Sequence, residues 1–153
     1  MKLSVVLATY NEEKNIGECL QTIKNLADEI VVVDGTSTDR TVEIAKKFGA
    51  KVTIIKNEAN FHINKQKAID QAQGDWILQL DADERITSEL ASEIKKVIGM
   101  SEKEIEEYQK KLPERKLFLR HQRLTQAKSE ILNTKSQINP KSKIINFKLL
   151  IKN

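Results

Sequence analysis

The sequence predicts an α/β fold, with a mainly parallel sheet flanked by helices. Three nearly all-apolar runs, "LSVVLAT", "EIVVVDG" and "WILQL", are rich in β-branched and other large apolar residues, which is typical of strands buried on both faces. Between these runs, apolar residues recur at helical spacing, and glycines follow several of the helical segments. Strands that alternate with helices of this length form right-handed βαβ units, which build a parallel sheet.

The first strand and helix follow from local signals near the N-terminus. Residues 3–9 form the strand, and Asn11 is in position to cap the helix that comes next. Glu12 and Glu13 then lie in the first turn, where negative charge is favourable. The apolar face of this helix consists of Ile16, Leu20, Ile23 and Leu26.

The second and third strands are "EIVVVDG" and "KVTII", each followed by a helix. Ser37 or Thr38 caps the helix after the second strand, and Gly49 ends it. The helix after the third strand spans residues 63–73 and stops at Gly74.

The fourth strand, "DWILQLD", leads into two further helices. Thr87 caps the first of these, and Gly99 closes it. Ser101 and Glu104 form a capping box that begins a short charged helix, which stops before Pro113.

The length of 153 residues suits one domain with a core, and the character of the sequence changes after Gly99. We predict a globular domain at 1–99, a charged helix and connector at 100–128, and an irregular or helical basic tail at 129–153. Residues 1–99 hold 13 Lys and Arg against 16 Asp and Glu, whereas residues 100–153 hold 13 against 6. Because the basic part is poor in aromatics and carries no nucleic-acid-binding motif, we expect weak attraction to an anionic membrane surface and no nucleic-acid partner.

The remaining bulk features indicate a cytoplasmic protein. The single cysteine, Cys19, excludes an internal disulfide and falls on the apolar face of a helix, where it acts as a small core residue. No run is long and apolar enough to cross a bilayer. The N-terminal apolar run leads into "YNEE" without a small-residue cleavage site, so it is a strand rather than a signal peptide.

Polar residues follow three of the predicted strands, at the edge where ligands bind in parallel sheets. Thr9 and Tyr10 follow the first strand, Asp34 ends the second, and Asp81 and Asp83 end the fourth. Two carboxylates one residue apart at a chain turn can reach one point, and oxygen ligands of this kind suit Mg²⁺ or Mn²⁺. Such an ion would offset the repulsion between the acids and make a bound diphosphate a better leaving group.

Each of these assignments has a simpler alternative. The D-x-D pair is also compatible with a solvated turn or a helix cap, and Asp34 with a turn residue in "DGTSTD" instead of a ligand of a base or ribose. One of Lys65 and Lys67 can reach a diphosphate, with the other solvated. No zinc-spaced histidines, P-loop or G-x-G-x-x-G fingerprint is present in the sequence.

Together, "SVVLATYNEEKNI", "EIVVVDGTSTDRT" and "GDWILQLDADE" resemble family 2 glycosyltransferases over residues 3 to 98. The acidic motif is most similar to that of bacterial cell-envelope and lipopolysaccharide-core enzymes. The resemblance implies that residues 1–99 form a Rossmann-like GT-A domain, the half that binds a nucleoside-diphosphate sugar. It implies a metal-assisted, inverting transferase with Mg²⁺ or Mn²⁺ as cofactor.

The resemblance also implies roles for individual residues. Asp34 contacts the base, Asp81 faces the ribose or the metal, and Asp83 binds the metal directly. Lys65 stands where the family often has an arginine before an asparagine, and lysine keeps the charge but lacks the planar fork. The nucleotide edge is formed by Ala8, Thr9, Tyr10 and Glu12, although many relatives carry proline at the position of Ala8.

Residues 100–153 depart from the family pattern, because they contain no glycine-punctuated strands and no acidic motif for a general base. We therefore expect a chain truncated after its donor-binding half, with weak or no transfer activity and no assigned base. The expected partners are a nucleotide sugar, first of all a UDP-sugar, and a glycan or lipid-linked acceptor at the inner face of the membrane. The alternatives are a non-catalytic nucleotide-sugar-binding or subunit-interaction module, and a haloacid-dehalogenase-type phosphatase. Val32 stands where that phosphatase needs its nucleophilic aspartate, which disfavours it.

Overall fold

A computed structural model describes residues 1–56, 61–111 and 143–145 and contains a five-stranded sheet in the order β3-β2-β1-β4-β5, in which all neighbours are parallel. The strands are β1 (Leu3–Thr9), β2 (Glu29–Asp34), β3 (Lys51–Ile54), β4 (Trp76–Gln79) and β5 (Lys143–Ile145). The helices are α1 (Ile16–Ile23), α2 (Thr41–Lys47), α3 (Phe61–Gln71), α4 (Ser88–Ile98) and α5 (Glu102–Lys111). The parallel α/β fold predicted from the sequence is confirmed.

The strands β1, β2 and β4 are buried on both faces, as their apolar sequences predict, whereas β3 is partly exposed. Every residue of β1 is buried, and alternate side chains enter two separate hydrophobic clusters. The larger cluster joins the sheet to α1, α2, α4 and α5, and its largest buried side chain is that of Trp76. The smaller cluster joins Val6 and Val33 on the other face to Ala68 of α3. Among the described helices, α3 alone supplies residues to this second cluster.

Two predicted helix caps are wrong, because their side chains are used between loops instead. Helix α1 begins at Ile16 and has Asn15 at its N-cap, whereas Asn11 lies before it with φ of 53° and accepts a hydrogen bond from the Thr38 backbone N–H. Helix α2 begins at Thr41. Ser37 and Thr38 lie in the preceding loop, because Ser37 is held by the end of β2 and Thr38 by Asn11.

The end signals at Gly49, Thr87, Gly99 and Ser101 are confirmed. The Thr87 hydroxyl accepts a hydrogen bond from the Leu90 N–H at the start of α4. Ser101 and Glu104 form the expected capping box at α5, since the Glu104 carboxylate accepts from the Ser101 N–H and the Ser101 hydroxyl from the Glu104 N–H. Gly49 follows α2 with φ of 76°, a left-handed conformation that glycine adopts without strain.

Gly74 joins α3 to β4 where the chain passes against the amino end of β1. Its N–H donates to the Ser4 hydroxyl, and a Cβ at this position would lie 2.7 Å from the Ser4 backbone nitrogen. Helix α3 spans Phe61–Gln71 and not the predicted 63–73, so it ends before Gly74 is reached. Glycine is therefore required at position 74 by close backbone approach and not as a helix stop.

The region after residue 99 is partly described. Helix α5 packs against the main core through Ile105, which is fully buried, and through Tyr108, whose hydroxyl donates to Glu93. The predicted irregular or helical tail did not anticipate β5, a three-residue strand that extends the sheet beside β4, because "KII" is too short to stand out from its polar surroundings. The rest of the predicted connector and tail lies outside the described residues, and no helix within the described ranges is long and apolar enough to span a membrane.

Candidate functional site

The carboxyl ends of β1 and β2 meet at a buried hydrogen-bonded pair. Thr9 and Asp34 are register partners, and the Thr9 hydroxyl donates to the Asp34 carboxylate at 2.9 Å. Asp34 is fully buried and also accepts from the Ser37 backbone N–H at 2.7 Å and from the Ser37 hydroxyl at 2.6 Å. Since a carboxylate has about four lone-pair positions, these three bonds leave Asp34 about one more acceptor position.

The loops that follow β1 and β2 are fastened to each other. The Asn11 N–H donates to the Ser37 hydroxyl at 2.8 Å, and the Glu12 N–H donates to the Thr41 hydroxyl at 2.7 Å. Thr36 adopts φ of 65°, which is strained for a β-branched residue, and its hydroxyl donates to the Ile55 carbonyl at 2.7 Å. The edge around Asp34 is therefore built before any ligand arrives.

The predicted nucleotide edge divides into buried and accessible residues. Ala8 is 3% exposed and packs within the sheet, whereas Tyr10 is 45% exposed. The Glu12 carboxylate accepts a bond from the Asn15 side-chain amide at 2.9 Å, so it supports the turn into α1. Tyr10 is the member of this group whose large side chain is open to a ligand.

The acids after β4 form a closed turn. The Glu84 carboxylate accepts from the Asp81 N–H at 2.8 Å, and the Glu84 N–H donates to the Asp81 carbonyl at 3.0 Å. The Cys19 thiol of α1 donates to the same carbonyl at 3.5 Å. Burial raises the pKa of this thiol to about 12, so Cys19 supports the turn as a neutral core residue.

Lys65 contacts the first acid of the D-x-D pair. Its ammonium nitrogen lies 2.5 Å from the Asp81 carboxylate, and the Lys65 side chain is 9% exposed while that of Asp81 is 25% exposed. The crowding of negative charge is thus offset in part by a lysine from α3. This contact between residues distant in the sequence places Lys65 within the candidate site.

Asp83, by contrast, is exposed at the apex of the turn. Within residues 1–56, 61–111 and 143–145, no group of three or more His, Cys, Asp and Glu side chains is gathered in a way that could hold a metal ion alone. An accessible carboxylate beside a second, partly exposed one is nevertheless a donor set that suits Mg²⁺ or Mn²⁺, which fill the rest of their shell with water and phosphate oxygens. The residues therefore fit a cation that is shared with a phosphorylated ligand.

Asn64 is a buried residue that the sequence analysis did not identify. It is fully buried, and neither the oxygen nor the nitrogen of its side-chain amide has a hydrogen-bond partner in the described part of the chain. It lies on α3 next to Lys65 and one turn before the buried Ala68. No sequence pattern marks such a residue, because polarity alone predicts a solvated helix position.

We expect Asn64→Leu to raise the free energy of unfolding by about 1 kcal/mol, because an apolar side chain of similar size removes two unpaired buried groups. The melting temperature would rise by roughly 2–4 °C. Asn64→Ala is the control, since it removes the same amide but leaves a cavity. Thermal melting of the three proteins checks this, and a lower melting temperature for Asn64→Leu would contradict it.

Comparison with known proteins gives a family model and similar proteins that point to the same family. The family model described as Glycosyl transferase family 2 matches residues 4–137. An uncharacterized glycosyltransferase of Rickettsia typhi is 42% identical over 98 residues, which are 64% of this chain and 33% of the relative. The glycosyltransferase SunS of Bacillus subtilis is 37% identical over 98 residues, which are 63% of this chain and 23% of the relative.

A crystal structure of S. aureus TarS in complex with UDP is similar in both sequence and fold. It is 34% identical with a TM-score of 0.58, over 64% of this chain and 32% of that protein. The chain thus spans about a third of the length of the Rickettsia typhi relative and of the crystallised TarS chain.

Proposed function

This chain belongs to glycosyl transferase family 2, and from that premise we propose that it forms the donor-binding part of an enzyme that transfers a sugar from a nucleoside diphosphate to an acceptor hydroxyl. The observation that carries the proposal is the convergence at one edge of the sheet. Strands β1 and β2 end there at the buried Thr9–Asp34 pair. The neighbouring strand β4 is followed by Asp81, which pairs with Lys65 of α3, and by the exposed Asp83. Ligands of open parallel sheets bind at this edge.

Asp34 is proposed to recognise the base. Because Asp34 is fully buried, the base would have to displace part of the covering loop, such as Ser37, to reach the carboxylate. There Asp34 would accept one N–H, such as the imide of uracil, with Thr9 fixing the direction of that bond. The exposed ring of Tyr10 offers an aromatic face at the same edge. The UDP bound to TarS makes a uridine nucleotide the first candidate.

Asp81, Asp83 and Lys65 are proposed to hold the diphosphate and its counter-ion. Asp81 and Asp83 would share Mg²⁺ or Mn²⁺ with the phosphate oxygens, and Lys65 would lie between Asp81 and the phosphates. When bound, the metal would stabilise the charge that develops on the departing diphosphate. The chain's own residues orient the donor, and Lys65 keeps positive charge beside its leaving group.

Transfer also needs a general base that deprotonates the acceptor hydroxyl, with inversion at the anomeric carbon as the expected outcome. The contacts assigned among the described residues all serve the donor. A non-catalytic nucleotide-sugar-binding module is therefore the second candidate function. Release of sugar from the donor, with or without an added glycan or lipid-linked acceptor, would favour the transferase over this module.

The proposal is tested by melting the purified protein with UDP-, GDP- and CDP-sugars, each with and without Mn²⁺. A ligand that binds only the folded state raises the melting temperature by mass action. We expect one nucleotide class to raise it, and Mn²⁺ to increase that effect. No rise with any nucleotide at millimolar concentration would contradict donor binding.

Asp34→Ala is expected to weaken binding about tenfold for every sugar carried by the same nucleotide, because it removes the contact to the base and not to the sugar. This loss corresponds to about 1.4 kcal/mol. Titration calorimetry below the melting temperature measures it. Thr9→Val serves as the control, since it removes one supporting hydroxyl and leaves the carboxylate in place. Equal affinity of the parent and Asp34→Ala would exclude the base-recognition role.

A further inference from the structure

Arg85 holds the backbone of the acidic turn from the side of α1. One terminal nitrogen of its guanidinium, Nη1, donates to the Ala82 carbonyl at 2.9 Å and to the Glu84 carbonyl at 3.0 Å. These carbonyls flank Asp83 on either side. Lys65 reaches the same turn from α3, on the opposite face of the sheet, through the Asp81 side chain. The turn is therefore held between two cations that contact different parts of it.

The other side of the guanidinium is anchored to α1. The Arg85 Nη2 and Nε atoms lie 3.1 Å and 3.3 Å from one carboxylate oxygen of Glu18. Glu18 is adjacent to Cys19, a fully buried residue of α1. The Thr22 hydroxyl of the same helix accepts from the Ile86 N–H at 3.2 Å. Helix α1 thus supports the turn at several points, and Arg85 provides the contacts beside Asp83.

The geometry needs a guanidinium group and not only a positive charge. Arg85 uses Nη1 for two carbonyls and two further nitrogens for Glu18, an arrangement that the planar fork of arginine permits. An ammonium group is a single point with rotatable donors and cannot span both sets of acceptors in one orientation. With the carbonyls of Ala82 and Glu84 bound to Arg85, the backbone is held on both sides of the exposed Asp83.

We propose that Arg85 is a positioning residue that fixes the acidic turn in the form that takes a divalent cation together with a diphosphate. This inference rests on the proposed function, because it assumes that Asp81 and Asp83 share a metal with a nucleotide. Arg85 acts through the backbone of the turn and does not contact the ligand. Its fixed turn lowers the cost of ordering two carboxylates when the cation and the diphosphate arrive.

A purely stabilising surface ion pair is the competing explanation, since Glu18 is 80% exposed and pairs of this kind contribute little. Two variants separate the explanations. Glu18→Gln removes the charge pair and leaves the carbonyl bonds of Arg85, whereas Arg85→Lys keeps the charge and loses the fork. A surface ion pair predicts that Glu18→Gln has at least as large an effect as Arg85→Lys, and that both variants change the melting temperature alone.

The test is calorimetric titration of UDP into the parent, Arg85→Lys and Glu18→Gln, each with and without Mn²⁺. We expect Arg85→Lys to lose about tenfold in UDP affinity with Mn²⁺ and less than twofold without it. Glu18→Gln should stay within about threefold of the parent in both conditions. Millimolar methylguanidinium should restore part of the Mn²⁺-dependent affinity to Arg85→Ala, which a general loss of stability would not allow.

The outcomes distinguish this inference from the proposed function. If the parent binds UDP more tightly with Mn²⁺ and Arg85→Lys gains as much from Mn²⁺, the positioning role is wrong while the proposed function stands. If the parent itself gains nothing from Mn²⁺, the metal-sharing site is wrong and the role of Arg85 falls with it.

Discussion

Lys65→Met is expected to lower the free energy of unfolding by about 2 kcal/mol and to weaken UDP binding by roughly 100-fold. The substitution leaves the Asp81 carboxylate, which is 25% exposed, without the ammonium group 2.5 Å away. Removal of one partner from a buried ion pair costs more than its formation gains, because the remaining charge stays partly desolvated. The partial exposure of Asp81 sets the estimate below that for a fully buried pair.

The same substitution should have the opposite effect on metal alone. Lys65 neutralises Asp81 in the structure, so its removal frees a carboxylate for Mn²⁺ when no nucleotide is present. We expect Mn²⁺ to bind Lys65→Met several-fold more tightly than the parent, while UDP binds more weakly. Opposite signs for the two ligands would identify Lys65 as a group that serves both the acid and the diphosphate.

Lys67→Met is the matched control for these measurements, because Lys67 lies on the same helix and is more exposed. It should change UDP and Mn²⁺ affinity by less than threefold. Chemical denaturation provides the stability values and calorimetry the affinities. Equal losses of UDP affinity in both variants would mean that general positive charge on α3, and not the contact with Asp81, attracts the diphosphate.

Asp83→Asn is expected to abolish the Mn²⁺-dependent part of UDP binding, a loss of about 100-fold or 2.7 kcal/mol in the presence of the metal. The amide keeps the shape and one oxygen but lacks the negative charge that a hard cation prefers. Because Asp83 is exposed, its replacement should leave the melting temperature of the protein alone within about 1 °C.

Asp75→Asn is the corresponding control, since Asp75 precedes the same strand at its opposite end and accepts a bond from the Lys2 N–H. Its change should leave the response to Mn²⁺ intact. UDP titrations with and without Mn²⁺ compare the two variants with the parent. A loss of Mn²⁺ response in Asp75→Asn as well would point to net charge and not to a site.

Much of the fold could be predicted from the sequence because its signals are local. The apolar runs of β1, β2 and β4 predict buried strands without reference to any other part of the chain. The caps at Thr87 and Ser101 depend only on residues within one helical turn. Asn11 misled the prediction for the same reason. Its side chain accepts a hydrogen bond from the backbone of Thr38, 27 residues away, and does not cap α1 as the local sequence predicts.

The sequence indicates which residues form the candidate site but not the contacts among them. The sequence places carboxylates after β2 and β4, yet it gives no sign that Asp34 is already engaged by Thr9 and Ser37. From the sequence, only a bound cation is expected to offset the repulsion among the acids. In the structure, Lys65 and Arg85 already offset part of this repulsion. Such contacts join distant parts of the chain and depend on how α1 and α3 pack.

The proposed donor site depends most on a divalent cation shared between the acidic turn and a diphosphate. Electron paramagnetic resonance of Mn²⁺, titrated into the protein with saturating UDP and again without it, measures this directly. We expect the parent to take up about one Mn²⁺ per chain tightly only when UDP is present, and Asp83→Asn to take up none at the same concentrations. Equal Mn²⁺ uptake by the parent and Asp83→Asn, or uptake by the parent that UDP does not change, would contradict a metal shared between the acidic turn and the diphosphate.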